Sequence, residues 1–268
     1  MSSISVVLPV AADTDPLDLQ RAHRSLTAQT SSPSEILLVT NQSIETPLAS
    51  EISDLVETHS ESRHERTPNA CGLGGALQAG LERSSEPIVA RMDADDVAAP
   101  ARLAEQRAIL LETDTDIVGT HLAEFRDDPN RPIRTRRVPR THKMISEQMP
   151  WRCPLNHPTV MFDRRAILNV GGYRNVPMME DWDLWARCLA SGLRFRNLDR
   201  VLVSAQINEL ADRRGGWEYV KAEIAMAHEL RNLGIASPLD TFRHLSFRIP
   251  PRLLPRRVRR VVYDVIVR

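Results

Sequence analysis

Residues 88–100 read IVARMDADDVAAP. The stretch opens apolar and then sets three aspartates, Asp93, Asp95 and Asp96, within four positions. An apolar run without polar alternation marks a strand buried on both faces, the habit of parallel sheets. Carboxylates this close repel, and each is costly to take out of water. Two of them, one residue apart on a turn, can share a hard divalent cation. Mg²⁺ takes one or two protein carboxylates and fills its shell with water and phosphate oxygens. The structural alternative is an Asx-type turn capping the next helix. Three acids after a buried strand favour the cation.

The residues upstream repeat the pattern. Ile4–Val10 and Glu35–Thr40 are apolar runs of strand length. Asp15-Pro16 forms a helix start, with a capping side chain and a first-turn proline, and Leu19, Ala22 and Leu26 follow at helical spacing. Residues 43–65 are expected to hold a second amphipathic helix, with Ile52, Leu55 and Val56 inward. NACGLGGALQAGLERS, residues 69–84, reads as a glycine-rich turn entering a helix. Alternating strands and helices over about 100 residues predict right-handed βαβ units in a doubly wound, Rossmann-like α/β sheet. Ligands of such sheets sit beyond the carboxyl ends of the strands, where the aspartates are.

Downstream, a helix is expected from Pro100. DIVGTHLAEF and RPIRTRRVP read as strands joined by the turn RDDPN, forming a small antiparallel sheet. HPTVMF precedes a short helix and NVGGY. MMEDWDLWARCLASG puts Trp182, Trp185 and Leu189 on one helical face, with Gly192 as its stop. RFRNLDRVLVSAQ is expected to supply a final strand pair. The tail is proline-rich at RIPPRLLPRR and then helical, with Leu254, Val258, Val261, Val262 and Val265 interleaved with arginines.

The bulk composition narrows the function classes. The 268 residues are 42% apolar, enough for a core, and 35 basic residues balance 35 acidic ones. Nothing in that balance advertises nucleic acid as a partner. The balance hides an asymmetry, because Arg243–Arg268 carries eight arginines against Asp264 alone. A basic amphipathic tail suits an anionic membrane surface, and the alternative is a terminal helix docked on the core with solvated arginines. Cys71, Cys153 and Cys188 are scattered and form no CxxC pair, the pattern of reduced thiols in a cytoplasmic protein. The N-terminus lacks a basic n-region and reads as a first strand rather than a signal peptide.

Glu180 and Asp181 form a second acidic pair. Spacing alone gives them either an N-capping role or that of a general base beside the cation. The ordered series ISVVLPV, NACGLGGALQAGL, ARMDADDVAAPARLAEQ, NHPTVMFDRRAILNVGGY and MEDWDLW closely resembles family 2 glycosyltransferases of the GT-A fold, especially bacterial and archaeal polysaccharide-type enzymes bearing ARMDADD. RRGGWEY and PRLLPRRVRRVVY extend the resemblance to the tail.

That resemblance implies an inverting transfer from a nucleotide-diphosphate sugar to a glycan or lipid-linked hydroxyl, with Mn²⁺ or Mg²⁺ as cofactor. It implies residues 1–212 as the catalytic domain, split into a nucleotide-binding half (1–98) and an acceptor-binding half (99–212), and residues 213–268 as a helical extension. Asp93 and Asp95 would hold the metal. Arg91 and Asp96 would approach the donor, with Pro9, Val10, Asn41 and Gly72 around it and Arg213 and Arg214 closing over the diphosphate. Asp181 would be the base, oriented with the acceptor by Glu180. Asn156, His157 and Trp182 would face the acceptor. The implied location is cytoplasmic, with peripheral contact at the inner face of the cell membrane.

The sequence departs from the family pattern after its second strand. VTNQS, residues 39–43, replaces the usual acidic VDDGS, leaving Thr40 and Asn41 where an aspartate reads the nucleotide base. Asn can both donate and accept hydrogen bonds. A uridine donor comes first, with guanosine and deoxythymidine donors open. A nucleotidyltransferase, or a sugar-nucleotide-binding protein without transferase activity, are the competing readings.

Overall fold

The computed structural model describes residues 3–41, 43–67, 72–207 and 215–254. Strands β1 (Ile4–Val10), β2 (Glu35–Thr40) and β4 (Ile88–Arg91) are buried along their whole length. β2 lies parallel to β1, β4 parallel to β1 on its other side, and β3 (Ser62–Arg66) parallel to β2. Between them run helices α1 (Pro16–Thr27), α2 (Thr46–Thr58) and α3 (Gly72–Arg83). Asp15 caps α1 as the sequence predicts, its carboxylate accepting from the Leu17 N–H.

After β4 come β5 (Val97–Ala98), α4 (Arg102–Glu112), β6 (Ile117–Phe125), β7 (Arg134–Arg136) and α5 (His142–Gln148). β8 (Met161–Asp163), α6 (Arg164–Asn169), α7 (Glu180–Ala190), β9 (Phe195–Gln206), α8 (Trp217–Asn232) and α9 (Pro238–Leu253) complete the described elements. The antiparallel strands do not stand apart. β8 joins β4 on one side and β6 on the other, so the described strands form one sheet ordered β3-β2-β1-β4-β8-β6-β9-β5, with β7 paired to β6.

Alternation along β1 divides the core in two. Val6 and Leu8 face α1, α2 and α4 with Leu19, Ile52 and Leu103. Val7 faces the opposite side with Leu77, Trp182 and Trp185. Helices therefore cover both faces, the α/β arrangement expected from the sequence.

Three elements differ from the sequence reading. SRHER forms the edge strand β3, whose polar side chains give no apolar pattern to read. RFRNLDRVLVSAQ makes one 12-residue strand rather than a pair, with its irregularity absorbed as register shifts against Thr120 and His121. The prolines of RIPPRL fall inside the last turn of α9. Residues 255–268, which carry most of the expected basic helix, lie outside the described residues.

Helix α3 lies close on the sheet because Gly80 has no side chain. A Cβ there would come within 2.5 Å of Val7 Cγ1, a methyl of a buried, β-branched side chain. Gly80→Ala should cost about 1–3 kcal/mol through overpacking, read as a lower denaturation midpoint. Wild-type stability would show that α3 can retreat without loss.

Candidate active site

The carboxyl ends of β1, β2 and β4 open into a cleft of about 700 Å³, closed on its far side by the start of α7 and the ends of β6 and β9. Pro9, Val10, Asn41 and Gly72 line one wall. Arg91 and the three aspartates form the floor, and His157, Glu180 and Asp181 stand opposite. The two acidic groups, 85 residues apart in the chain, thus share one cavity.

The floor is built on a buried guanidinium. Arg91 Nη1 donates to Asp93 Oδ2 at 3.0 Å, and Nη2 bonds the other oxygen, so the fork closes on both. Burial opposes the Arg91 charge, yet Asp93, Tyr173, Asp96 and Glu180 outweigh it and hold its pKa above the ordinary arginine value. Beneath it, the fully buried Arg102 donates to the Arg91 and Pro158 carbonyls at 2.6 and 3.1 Å. Burial brings its pKa down to about 9.

The aspartates differ in their state. Burial, then the neighbouring Asp93, push Asp95 up to about 6. Asp96 is driven well above the carboxylate range by burial and by both other aspartates. Its Oδ1 accepts from Gln206 N at 3.2 Å, and its Oδ2 is buried without a partner. An orphaned carboxylate oxygen beside acids that resist ionisation is a site short of positive charge. Hard oxygen donors of this kind fit Mg²⁺ or Mn²⁺. Among the described residues no group of three or more Asp, Glu, His or Cys could hold a metal by itself, so phosphate and water would complete the shell.

The opposite wall is the N-terminus of α7, whose first turn holds Glu180, Asp181 and Asp183. Free N–H groups and the helix dipole favour anions there. Asp181 Oδ1 accepts from the Trp182 N–H at 2.8 Å, and the Cys153 thiol approaches Oδ2 at 3.5 Å. Burial, then Asp181, raise Glu180 to about 7. Two adjacent carboxyls in unlike surroundings suit acid–base work. Met178, at the cleft rim just before them, has φ +66, an unusual backbone for a non-glycine residue.

Packing against α3 sets where α7 begins. A Cβ on Gly74 would strike the Arg174 carbonyl and press on Glu180 Cβ. Gln78 Oε1 accepts from Tyr173 N at 2.7 Å. Arg187 pairs with Asp183 and donates to the Val170 and Gly172 carbonyls, both at 2.6 Å. The loop leading into α7 is clamped from both sides.

Not every anticipated residue reaches the cleft. Asn156 is fully buried, and its amide donates to the Thr120 and Arg136 carbonyls. Trp182 turns into the core, its Nε1–H on the Met149 carbonyl. Both hold the wall from behind, which corrects the acceptor-facing position expected of them. His157 does line the cleft. Its Nε2 lies 2.9 Å from Tyr173 Oη, and burial, then Arg91, keep the ring neutral by lowering its pKa well below normal. Arg213 and Arg214 lie outside the described residues. Sequence reasoning passed over Glu124, Arg136 and Cys153. Cys153 opens the CPLNH segment that ends at His157 and was legible as part of it.

Residues 5–172 match the model of glycosyl transferase family 2. The chain belongs to that family. It is a glycosyltransferase by membership, and relatives extend the likeness over its whole length. An uncharacterized glycosyltransferase of Haemophilus influenzae is 32% identical over 98% of both chains. The UDP-Gal:alpha-D-GlcNAc-diphosphoundecaprenol beta-1,3-galactosyltransferase of Escherichia coli is 29% identical over 98% of this chain and 96% of its own. Among solved structures, S. aureus TarS 1-349 with UDP-GlcNAc superposes with a TM-score of 0.67 at 16% identity, over 99% of this chain and 76% of that one. This chain spans 46% of the longer S. aureus TarS structure. The Pyrobaculum calidifontis mannosyltransferase PcManGT, with GDP-Man and Mn²⁺, gives 0.66 at 14% identity over 99% of this chain and 76% of that one. These likenesses carry the GT-A fold.

Glu180 ties the site to pH. Its carboxyl titrates near 7 when folded and near 4.5 when free. The folded state therefore binds the extra proton between those values, and stability falls as pH rises through that window. Glu180→Gln should raise the melting temperature at pH 8 in metal-free buffer and leave it unchanged near pH 4. Equal melting temperatures at pH 8 would remove the burial strain assigned to this carboxyl.

Proposed function

We propose that the protein transfers a sugar, with inversion, from a nucleotide-diphosphate donor to a hydroxyl of a glycan or lipid-linked acceptor. The observation that carries this reading is the meeting of two acidic groups across one cleft at the strand ends. The chemistry needs both. The departing diphosphate requires positive charge on one side of the sugar, and the attacking hydroxyl must lose its proton on the other.

Asp95, with Asp93, would hold Mg²⁺ or Mn²⁺, and that cation would neutralise charge growing on the leaving diphosphate. Arg91 would exchange its hold on Asp93 for donor phosphate, since its fork geometry suits both. Pro9, Val10, Asn41 and Gly72 would frame the nucleoside. Asn41 Nδ2 donates to the Gly72 carbonyl at 3.0 Å, which leaves its Oδ1 to accept from a base. Arg213 and Arg214 are assigned to the diphosphate on the resemblance alone.

Asp181 is the proposed base. Its carboxylate sits at a helix N-terminus and takes the acceptor proton as the oxygen attacks the anomeric carbon. Glu180, protonated below about 7, can donate a hydrogen bond to the acceptor. His157, held neutral, bounds the same wall.

The full-length likeness to an enzyme named for UDP-Gal and a diphosphoundecaprenol acceptor supports a UDP-sugar donor and a lipid-linked acceptor. No described helix is long and apolar enough to cross a membrane. Action at the cytoplasmic face, with peripheral contact through the basic C-terminal residues, is the arrangement proposed.

Asp181→Asn should keep donor and Mn²⁺ binding, read as an undiminished thermal shift with nucleotide diphosphates, and lose about 10²–10⁴ in transfer rate. Near-normal turnover would move the base elsewhere. A panel of UDP-, GDP- and dTDP-sugars with Mn²⁺ identifies the donor, and the absence of transfer or hydrolysis from any of them would overturn the reading.

A further inference from the structure

Helix α9 is amphipathic the wrong way round. A helix on a water-soluble domain normally turns its apolar face inward. In α9 the inward stripe is His244, Arg248 and Arg252, spaced four apart. All three converge on Glu223 of α8, whose carboxylate is fully buried. His244 Nε2 lies 2.9 Å from Glu223 Oε2, and Arg252 Nη2 and Arg248 Nε lie 2.8 and 3.3 Å from Oε1. The rings beneath complete the seat. His244 stacks on Trp182 with centroids 5.3 Å apart, and Arg252 lies 4.2 Å over Tyr219. His244 and Arg252 hydrogen-bond to Glu223 and Arg248 adds an ion pair to it, so α9 is docked through its polar stripe.

The opposite face carries the apolar residues. Leu239 is 55% exposed, Phe242 68%, Phe247 77% and Leu253 56%. Trp217 is 64% exposed and lies near the C-terminal end of α9, where its neighbour Gly216 N donates to the Arg252 carbonyl at 3.0 Å. A run of large apolar side chains along one helix is more than the scatter of single exposed residues normal for a surface.

We infer that this face of α9, with Trp217 at its end, lies in the interface of an anionic lipid bilayer. Its composition is that of an interfacial helix, with Trp, Phe and Leu flanked by arginine. Arg243 is exposed among the apolar residues, and Arg256, Arg257, Arg259 and Arg260 follow α9 directly in sequence. Eight arginines against one acid from Arg243 onward complement an anionic surface. The same excess disfavours a second copy, which would bring like charge onto like charge. Arg248 and Arg252, in contrast, are turned inward onto Glu223 rather than toward that surface. The inference deepens the proposed membrane-side action by assigning the contact to a docked apolar face ahead of the arginine-rich end, and it is tested by binding alone.

The test is flotation of the full-length protein with vesicles of phosphatidylcholine alone or of phosphatidylcholine mixed with anionic phosphatidylglycerol. The wild type should float with the anionic vesicles only. The double variant Phe242→Ser/Phe247→Ser should lose at least tenfold in binding while keeping its melting temperature and donor hydrolysis. Arg243→Glu, which leaves the apolar side chains in place, should weaken binding to anionic vesicles and guards against a double variant that fails to fold. Undiminished flotation of both variants would overturn the assignment. So would a wild type that ignores lipid and forms a dimer that the double variant breaks. Intact flotation with no sugar transfer would leave this assignment standing and remove the proposed reaction instead.

Discussion

The Arg91 guanidinium is the constraint around which the cleft is organised. Five carboxyl groups, on the DADD turn and at the start of α7, face one cavity. Without compensation, burial at that density would drive the acids to protonate. Arg91 emerges from the last residue of β4, is itself buried, and interacts with Asp93, Asp96 and Glu180 together. It supplies part of the missing charge, and the high values of Asp95, Asp96 and Glu180 show that it does not supply all of it. The remaining deficit makes the cleft a receptive site for a cation and leaves the proton on Glu180 sensitive to what else is bound.

A cleft of like charges also needs a rigid frame, because repulsion would otherwise open it. Glycines in α3 allow backbone-to-backbone approach at Gly74 and close seating on Val7 at Gly80. Arg187 and Asp183 form a buried pair that also satisfies two loop carbonyls. A buried pair alone is weak evidence of stability. Here it fixes the entry of α7, and with it the direction of Asp181.

Much of this was legible in the sequence where the signal is local. Apolar runs marked β1, β2 and β4, Asp15-Pro16 marked α1, and the glycine-rich turn marked α3. The joint location of the aspartates and of Glu180-Asp181 followed from resemblance, since nothing in their spacing says that residues 85 positions apart will meet. What escaped was set by tertiary context. β3 is a strand because β2 offers it an edge, not because SRHER has strand chemistry. The resemblance set Asn156 and Trp182 toward the acceptor, yet burial turned the Asn156 amide to the backbone of β6 and β7 and the Trp182 indole to the Met149 carbonyl. The outward apolar face of α9 also went unread, since an inverted helix has the same periodicity as an ordinary one and only packing reveals which stripe is inside.

The C-terminal helices are continuous with the catalytic core rather than appended to it. Tyr219, Met226 and Leu230 of α8 share a buried cluster with Trp182 and Trp185 of α7. His244 of α9 stacks on Trp182, the residue next to Asp181. One helix thus presents the proposed base on one side and receives the docking helix on the other. Burying Glu223 with its pKa held down to about 2 by His244 and the two arginines is an expensive way to attach a helix that could have used leucines. It allows α9 to be anchored through its polar stripe, which leaves its apolar stripe free to meet something outside the protein.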